Sequence, residues 1–347
     1  MTKKNNSTAL SCLNKDDLIV IAGAGGFIAG ALAKYFHEQG FSRIRAIDKK
    51  PLSEWYQRTR DIECLCLDLS SEDNCKKACE DAVEVYNLAA DMGGMGFIER
   101  CRIECLRSIL INTHMIESAY KAGARRYFFS SSACAYNVEL QKDTNSRALK
   151  ESDAYPAMAE RGYGWEKLMS EMFCQEYCAE RGFETHIARF HNVYGPYGTW
   201  DGGREKAPAA ICRKVIEAKD ENSDEIVIWG DGNQTRSFMY IDDCVKGIDM
   251  IMHCDNLVAT PINLGSDRLI SINQLVSIVE RIRGIKLKRK YDLNAPKGVA
   301  GRNSDNTFIQ KVLGWEPDTP LEEGLKTTYK WIQQQYRDRK AGRQTVI

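Results

Sequence analysis

Residues 18–29 read Leu18-Ile19-Val20-Ile21-Ala22-Gly23-Ala24-Gly25-Gly26-Phe27-Ile28-Ala29, an apolar run that passes directly into a glycine-rich turn. The apolar run has the β-branched composition of a buried strand, and residues 27–39 have the pattern of a helix that ends at Gly40. Glycines between a strand and a helix permit a tight turn and a close approach of the backbone to a ligand. The segment therefore predicts a strand, a turn and a helix whose N-terminus receives a pyrophosphate.

The alternation of strand and helix continues to about residue 130. Further strands are predicted at residues 44–47, 64–67, 83–88 and 127–130, and helices near residues 72–80 and 104–122. Such an alternation is typical of a parallel sheet that binds its ligands at the carboxyl ends of the strands. We expect an α/β fold with a Rossmann-type, doubly wound parallel sheet.

The pattern is looser after residue 200. Short strands are predicted at residues 226–229 and 261–264, and helices at residues 272–283 and 321–335. These later segments predict a smaller C-terminal α/β cap that binds the substrate.

The composition is that of an ordinary globular protein, with 43% hydrophobic and 28% charged residues among 347. Lys and Arg total 48, and so do Asp and Glu, so no net charge attracts nucleic acid or an anionic membrane. We find neither an apolar run of about 18 residues nor an apolar signal core, and we expect a cytoplasmic protein. Its 13 cysteines should then be reduced, and since no Cys-x-x-Cys pair occurs we predict no metal site.

A dinucleotide site is predicted at the glycine-rich turn. Asp48 ends the second predicted strand, where a carboxylate accepts hydrogen bonds from both ribose hydroxyls and repels a 2′-phosphate. This favours NAD over NADP, although Lys49 or Lys50 could reach a phosphate. Asp68 has two interpretations, a contact with the adenine edge or a cap on the following helix. The residues predicted to bind the cofactor are Gly23, Gly26, Phe27, Ile28, Asp48, Asp68, Leu69, Leu88, Tyr163 and Lys167.

Tyr163 and Lys167 are spaced one helical turn apart and should share a helix face. The lysine ammonium is expected to lower the pKa of the phenol, ordinarily about 10, so that Tyr163 can take a hydroxyl proton while hydride leaves for the nicotinamide. Ser132, at the end of a predicted strand, should hydrogen-bond the same oxygen. Tyr-x-x-x-Lys pairs also occur by chance on surface helices, but the position after a serine-rich strand end favours an active site.

Several motifs together resemble the extended short-chain dehydrogenase/reductase family, in its NAD-dependent epimerase/dehydratase branch. They lie at residues 23–29, 87–98, 131–134, 189–196, 202–210, 234–238 and 301–306. Within the family, the similarity is to the members that epimerise GDP-mannose at carbons 3 and 5, and it extends from about residue 18 to residue 335. The Gly-Gly-Met-Gly segment at residues 93–96 and the Gly-Gly-Arg-Glu-Lys-Ala-Pro segment at residues 202–208 are its most selective parts.

The resemblance implies a reaction in which NAD oxidises carbon 4 and later returns the hydride. The ketone acidifies the hydrogens on carbons 3 and 5, and the residues that match the family's acid and base are Cys134 and Lys206. From the residues alone, Cys134 could be a packed sulfur and Lys206 a solvated ammonium. Cys134 follows Ser132 by two residues on a segment expected to be extended, so the two side chains should share one side. The predicted catalytic residues are Tyr163, Lys167, Ser132, Cys134 and Lys206.

A nucleotide sugar, here a GDP-hexose, is the substrate that the resemblance implies. The residues that match substrate contacts are Gly93, Ser132, Ala133, Cys134, Asn192, Glu205, Lys206, Ala207, Lys214, Gln234, Thr235, Arg236 and Arg302. Arg236, Arg302 and Lys214 suit a diphosphate, although basic side chains are more often solvated. The glycines at residues 93–96 could admit the sugar to the backbone or act as a hinge. His191 is a catalytic residue type, but we expect it to be packed at a strand end.

The expected domain division follows these sites. Residues 1–16 should be a frayed N-terminus, and residues 17–190 the NAD-binding domain, to which residues 237–265 return. Residues 191–236 and 266–337 should form the substrate-binding domain, and residues 338–347 a tail.

Other functions remain open at this point. The enzyme could epimerise or dehydrate a different nucleotide sugar, although a dehydratase normally has Asp-Glu where this chain has Ala133-Cys134. A non-catalytic NAD-binding module is also possible, but such a protein usually lacks the tyrosine or the lysine of the Tyr163/Lys167 pair. The resemblance further implies a homodimer, with the helices at residues 104–122 and 163–181 as the candidate contact.

Overall fold

The computed structural model describes residues 13–343 and residue 345. Most of the predicted frayed N-terminus at residues 1–16 therefore lies outside the described residues. The helices are α1 (Phe27–Glu38), α2 (Glu72–Cys79), α3 (Met95–Arg100), α4 (Arg102–Lys121), α5 (Tyr163–Arg181), α6 (Ala207–Asp220), α7 (Ile241–Met252), α8 (Ile272–Arg283), α9 (Thr307–Leu313) and α10 (Leu321–Lys340). The last helix is longer than predicted and continues into the range expected to be a tail.

The strands form one large sheet and several small ones. They are β1 (Ile19–Ala22), β2 (Ile44–Asp48), β3 (Glu63–Cys66), β4 (Glu84–Asn87), β5 (Arg126–Ser132), β6 (Glu184–Phe190), β7 (Val193–Tyr194), β8 (Glu225–Trp229), β9 (Thr235–Arg236), β10 (Met239–Tyr240), β11 (Pro261–Leu264), β12 (Ile270–Ser271), β13 (Lys288–Asp292) and β14 (Gly301–Arg302). The large sheet has seven parallel strands in the order β11-β6-β5-β4-β1-β2-β3. The predicted Rossmann-type parallel sheet is confirmed.

The burial of the sheet on both faces explains why its strands are apolar along their whole length. Ile19 and Ile21 of β1 pack into a core shared with α1 and α7, whereas Val20 and Ala22 pack into a second core with α2, α4 and α5. All four side chains are fully buried. Burial of each large aliphatic side chain contributes about 1.5–3 kcal/mol, so this alternation fixes which face each helix layer covers.

The later part of the chain builds a second region beside the carboxyl end of the sheet. Strands β9, β12 and β14 form a three-stranded sheet, and β8 pairs in parallel with β13. Helices α6, α8 and α10 pack against one another. The strand β11, in contrast, returns to the large sheet and pairs with β6. No helix among the described residues is long and apolar enough to cross a bilayer.

A buried polar cluster ties the strands together at the opposite, amino-terminal edge of the sheet. Glu84 begins β4 and is fully buried, with Arg126 of β5 at 3.3 Å and the hydroxyl of Tyr86 donating to it at 2.9 Å. His253, directly after α7, places its Nε2 3.3 Å from Glu84 and its Nδ1 3.0 Å from Asp249. Burial disfavours the charged imidazole, but the two carboxylates outweigh it and raise the pKa of His253 to about 10.

This raised pKa predicts a pH-dependent stability. A folded-state pKa above the ordinary value of about 6.5 means that the contribution of His253 is complete below about pH 6.5 and disappears as pH rises through about 10. Urea unfolding between these pH values should show a fall in the free energy of unfolding that is much smaller in His253→Gln. An equal fall in both proteins would contradict this account of the cluster.

Candidate functional site

A cavity of about 550 Å³ opens at the carboxyl ends of the strands, where the strand order reverses between β1 and β4. This switch point is where open α/β sheets bind their ligands. The predicted site residues that line it are Gly23, Gly26, Phe27, Ile28, Asp48, Asp68, Leu69, Leu88, Gly93, Ser132, Tyr163, Lys167 and Lys206. The structure thus brings the predicted cofactor residues together with four of the five predicted catalytic ones.

The turn after β1 has the shape of a dinucleotide cradle. Gly23 has a φ of +87°, and a Cβ atom there would lie 3.0 Å from the backbone nitrogen of Ala89. Gly26 caps α1, and a Cβ atom on it would lie 3.0 Å from the Gly23 carbonyl oxygen. Only glycine leaves this space, and the free N–H groups of the helix N-terminus face it. The turn fits a pyrophosphate.

The basic residues next to Asp48 are engaged elsewhere. Asp48 accepts a hydrogen bond from the backbone of Lys50 at 3.0 Å, and the Lys50 ammonium is directed at the Gly25 carbonyl oxygen, 3.4 Å away. Lys49 forms an ion pair with Asp91 at 2.7 Å. The carboxylate therefore dominates the ribose end of the cavity, and this arrangement fits NAD better than NADP.

Asp68 combines features of both interpretations that the sequence left open. Its carboxylate accepts a hydrogen bond from the backbone of Ser70 at 2.9 Å, and this contact holds its pKa below the ordinary value. It thus supports the turn before α2, whose N-cap is Ser71, and it also lies in the cavity wall.

Tyr163 and Lys167 lie on one face of α5 at its N-terminal end, with the Lys167 ammonium 5.5 Å from the centre of the Tyr163 ring. The expected lowering of the phenol pKa is wrong for this structure. Burial, followed by the charges of Cys134 and Glu166, raises the pKa of Tyr163 well above 10, and the hydrogen bond from Ser132 only partly opposes the rise. The ammonium of Lys167 lies 3.8 Å from Glu166, which reduces its effect on the phenol.

Glu166 belongs to the site although no sequence motif indicates it. It is 2% exposed and accepts hydrogen bonds from Asn112 and Ser170. Asn112 in turn accepts from Asn87, the last residue of β4. Its position between the tyrosine and the lysine of the motif was the one feature that could have indicated a role in the site. The spacing of residues on a helix does not show whether such a glutamate is buried.

Cys134 lies in a 3₁₀ turn, Ala133–Ala135, and not on the extended segment that we expected. Ser132 caps this turn and accepts from the Cys134 backbone at 3.2 Å. The thiol packs with Ile98, Cys105 and Tyr163, and is not among the side chains that line the cavity. Burial raises its pKa, so the protonated form is favoured.

Lys206 ends the loop before α6 and lines the cavity. Burial lowers its pKa, which shifts the amine toward its neutral form. The two shifts act in the same sense, because each group is moved toward its uncharged form. A protonated thiol and a neutral amine are a proton donor and a proton acceptor respectively.

The glycine-rich loop at residues 93–96 positions the segment that carries Lys206. The backbone N–H of Gly94 donates to the carbonyl of Arg204 at 2.9 Å, and a Cβ atom on Gly94 would lie 2.4 Å from the Glu205 carbonyl oxygen. Arg204 also pairs with Asp91 at 2.8 Å and stacks on the Phe97 ring. The lack of a side chain at Gly94 lets the neighbouring loop pack closely. Gly93, the residue of this loop that is predicted to contact the substrate, lines the cavity.

The remaining predicted substrate residues are not among those that line the cavity. They are Ala133, Asn192, Glu205, Ala207, Lys214, Gln234, Thr235, Arg236 and Arg302. Arg236 is buried and donates to the carbonyl oxygens of Lys297 and Val299, and among the described residues no carboxylate forms an ion pair with it. Burial and the nearby charge of Arg302 lower the pKa of Arg236 to about 10. A buried cation without a counterion fits an anionic ligand.

The guanidinium of Arg302 is held by protein groups and is not free to bind an anion. Its Nη1 lies 3.4 Å from the sulfur of Cys134, its Nη2 pairs with Glu160, and its Nε donates to Gln141. The side chain is thus part of the thiol's surroundings, a contact between residues far apart in the sequence.

The other polar residues of this set have partners with which a ligand would compete. Lys214 donates to the carbonyl of Val227 at 2.8 Å, and Gln234 donates to the carbonyl of Trp229 at 2.7 Å while its own amide oxygen has no partner. Asn192 donates to Ser237, Thr235 donates to Thr144, and Glu205 pairs with Arg213. His191 is buried against Asn263, and burial lowers its pKa to about 3, so it is a packed histidine.

Comparison with known proteins gives a consistent family assignment. The model of the NAD dependent epimerase/dehydratase family matches residues 19–265. The GDP-mannose 3,5-epimerase of Arabidopsis thaliana is 43% identical over 330 residues, which cover 93% of this chain and 84% of the relative.

Solved structures of lower identity share the fold. The UDP-glucose 4-epimerase of Thermotoga maritima, solved with UDP-glucose, has a TM-score of 0.80 at 23% identity and covers 92% of this chain and 99% of its own. The UDP-glucuronic acid 4-epimerase of Bacillus cereus, solved with NAD, has a TM-score of 0.76 at 24% identity and covers 92% and 97% respectively.

The packing of Gly94 makes a testable prediction. Gly94→Ala should lower the free energy of unfolding by about 1–3 kcal/mol, because the new methyl group meets backbone that cannot move aside. Gly96→Ala is the matched control, since its nearest neighbour is the Trp229 side chain and its position is helical. Urea unfolding of the two variants should separate them, and equal losses would argue against the proposed contact between the loops.

Proposed function

The chain belongs to the NAD dependent epimerase/dehydratase family, and we propose that it epimerises GDP-mannose at carbons 3 and 5. One observation carries this proposal. A hydroxyl-oxidising group, Tyr163 with Lys167 and Ser132, lies beside a thiol and an amine that can exchange protons, Cys134 and Lys206. The 43% identity to plant GDP-mannose 3,5-epimerases supports the choice of sugar.

The cofactor is held by the cradle at Gly23 and Gly26 and by Asp48. NAD bound there would supply the hydride acceptor for carbon 4 of the sugar and the hydride donor for the return step. Tyr163 takes the proton of the carbon 4 hydroxyl, Ser132 orients that oxygen, and Lys167 supplies positive charge beside the phenol. Burial raises the pKa of Tyr163, so the phenolate form that takes this proton depends on the positive charge of Lys167, and the resulting phenol gives the proton back in the return step.

Carbons 3 and 5 become acidic once carbon 4 is a ketone, since either carbanion is stabilised as an enolate. At one centre the neutral amine of Lys206 accepts a proton and the thiol of Cys134 donates one from the opposite face. Proton exchange with water then restores the amine and the thiol before the other centre is inverted. Their burial in the same site favours the uncharged state of each group before the substrate binds.

The diphosphate is proposed to bind the buried cation of Arg236 together with Lys214. Arg236 has only carbonyl partners in the described structure, and burial lowers the pKa of both side chains, so a bound anion would stabilise their charged forms. Gln234 lies two residues before Arg236. Its amide oxygen has no partner and can accept a hydrogen bond from the guanine base of the substrate.

This arrangement also supports the domain division expected from the sequence. We propose residues 17–190 and 237–265 as the NAD-binding domain, and residues 191–236 and 266–337 as the substrate-binding domain. A cytoplasmic location is proposed as well, because the described cysteines are free thiols, as in a reducing compartment.

Proton NMR in deuterated water tests the reaction. With GDP-mannose and NAD, the protein should exchange the hydrogens at carbons 3 and 5 and form sugars inverted there. Cys134→Ala and Lys206→Met should each reduce this exchange by about 10²–10⁴-fold, while the hydrogen at carbon 4 can still leave for the cofactor. Tyr163→Phe should abolish both steps. A protein that binds NAD but exchanges neither hydrogen would refute the proposed substrate.

We propose that the protein is a homodimer through α4 and α5, which pack side by side. Their outer faces carry an exposed apolar surface at helical spacing. It consists of Ile103, Leu106 and Leu110 on α4, and Trp165, Met169 and Met172 on α5, each at least 40% exposed. A contiguous apolar face of this kind is costly in water and marks a contact surface, and a second copy of the chain offers the same face to it.

Charges on this face should separate the subunits. Leu106→Glu with Met169→Glu is expected to give a monomer in sedimentation velocity experiments, because two buried carboxylates would lack partners. Leu293→Glu, at a 70% exposed position on another surface, is the control and should leave the dimer intact. A dimer that withstands the double substitution would exclude this interface.

A further inference from the structure

The guanidinium of Arg302 connects the proposed catalytic thiol to a carboxylate. One side of it, Nη1, lies 3.4 Å from the sulfur of Cys134, and the other side, Nη2, forms an ion pair with Glu160. The third donor, Nε, is held by the amide oxygen of Gln141, which is 1% exposed. Arg302 is 5% exposed and the Glu160 side chain 11%. The guanidinium is therefore fixed on three sides.

Glu160 is also attached to the site through its backbone. Its N–H donates to the carbonyl of Cys134 at 3.0 Å, and its own carbonyl accepts from Trp165 at 3.3 Å in the first turn of α5. Gly164, on the same turn, could not carry a Cβ atom, which would lie 2.1 Å from the Cys134 carbonyl oxygen. The segment with Glu160 thus keeps the thiol, the guanidinium and the helix of Tyr163 in a fixed arrangement.

The two charged groups act on the sulfur in opposite directions. A guanidinium in contact with a buried sulfur favours the thiolate, whereas the carboxylate beyond it favours the thiol. Burial and Glu160 together raise the pKa of Cys134 against the effect of Arg302. The other titratable or polar groups near the sulfur are Ser132 on β5, Tyr163 on α5, Cys105 on α4, Lys206 before α6 and Arg236 on β9.

We propose that Glu160 is a positioning residue: it holds Arg302 against the sulfur of Cys134 and offsets its charge, so that Cys134 stays protonated in the resting enzyme. The importance of this proton rests on the proposed function, in which Cys134 donates to the sugar. Without the carboxylate, the fixed guanidinium would lower the pKa of the thiol and weaken its hold on the proton.

Glu160→Gln isolates the charge, because an amide oxygen can still accept from Arg302. Carbon-13 NMR of protein labelled at the cysteine Cβ measures the titration of the thiol, and Cys134→Ala identifies its resonance. The titration midpoint of Cys134 should fall by about one pH unit or more in Glu160→Gln, and Glu160→Asp should return it toward the wild-type value. Glu322→Gln, which takes a carboxylate from Arg268 on the surface, is the control and should leave it unchanged.

An unchanged or raised midpoint in Glu160→Gln would overturn the proposal. A residue with a merely structural role would lower the stability of both Glu160 variants without moving the midpoint. The titration needs no substrate, so it stands even if the protein acts on another sugar. If the proposed function also holds, the pH dependence of exchange at carbons 3 and 5 should move with the midpoint.

Discussion

The reversal of strand order between β1 and β4 is the constraint on which the site depends. Strands to either side of this point lead away in opposite directions, so their carboxyl ends leave an open crevice that no crossover helix covers. Gly23, Asp48 and Ser132 lie at that edge because each ends or follows a strand. The pairing of the strands alone thereby brings residues of different chemistry to one cavity.

Burial then sets the chemistry of the groups that meet there. Tyr163, Cys134 and Lys206 are each shifted toward the uncharged form, since charge is poorly solvated in the interior. The same cost of burying charge explains why Glu166 is held by amide and hydroxyl donors, and Arg302 by a carboxylate and an amide. Oxidation and proton exchange can share one site because burial shifts the pKa of each of these three groups away from its value in water.

The sequence predicted the parts of the site that local geometry determines. A glycine-rich turn between strand and helix, a carboxylate at a strand end and a Tyr-x-x-x-Lys pair each have one local structure, and the structure has all three at the cavity. The 3₁₀ turn at Cys134 was not predicted, because in the sequence the serine that caps it looks like one more residue of the strand. The pKa direction of Tyr163 was wrong because burial depends on residues from the whole chain. The pairing of Arg302 with Cys134 joins residues 168 positions apart, which no spacing in one sequence can indicate.

We propose that one site removes hydrogen from carbon 4, allows inversion at the neighbouring carbons and returns the same hydrogen. GDP-mannose with deuterium at carbon 4, turned over in ordinary water, tests this directly by mass spectrometry and NMR of the products. We expect the label to remain at carbon 4 of every inverted product, since it never meets solvent, and the reaction to be slowed by the deuterium. Inverted products that have lost the label to water would contradict the account.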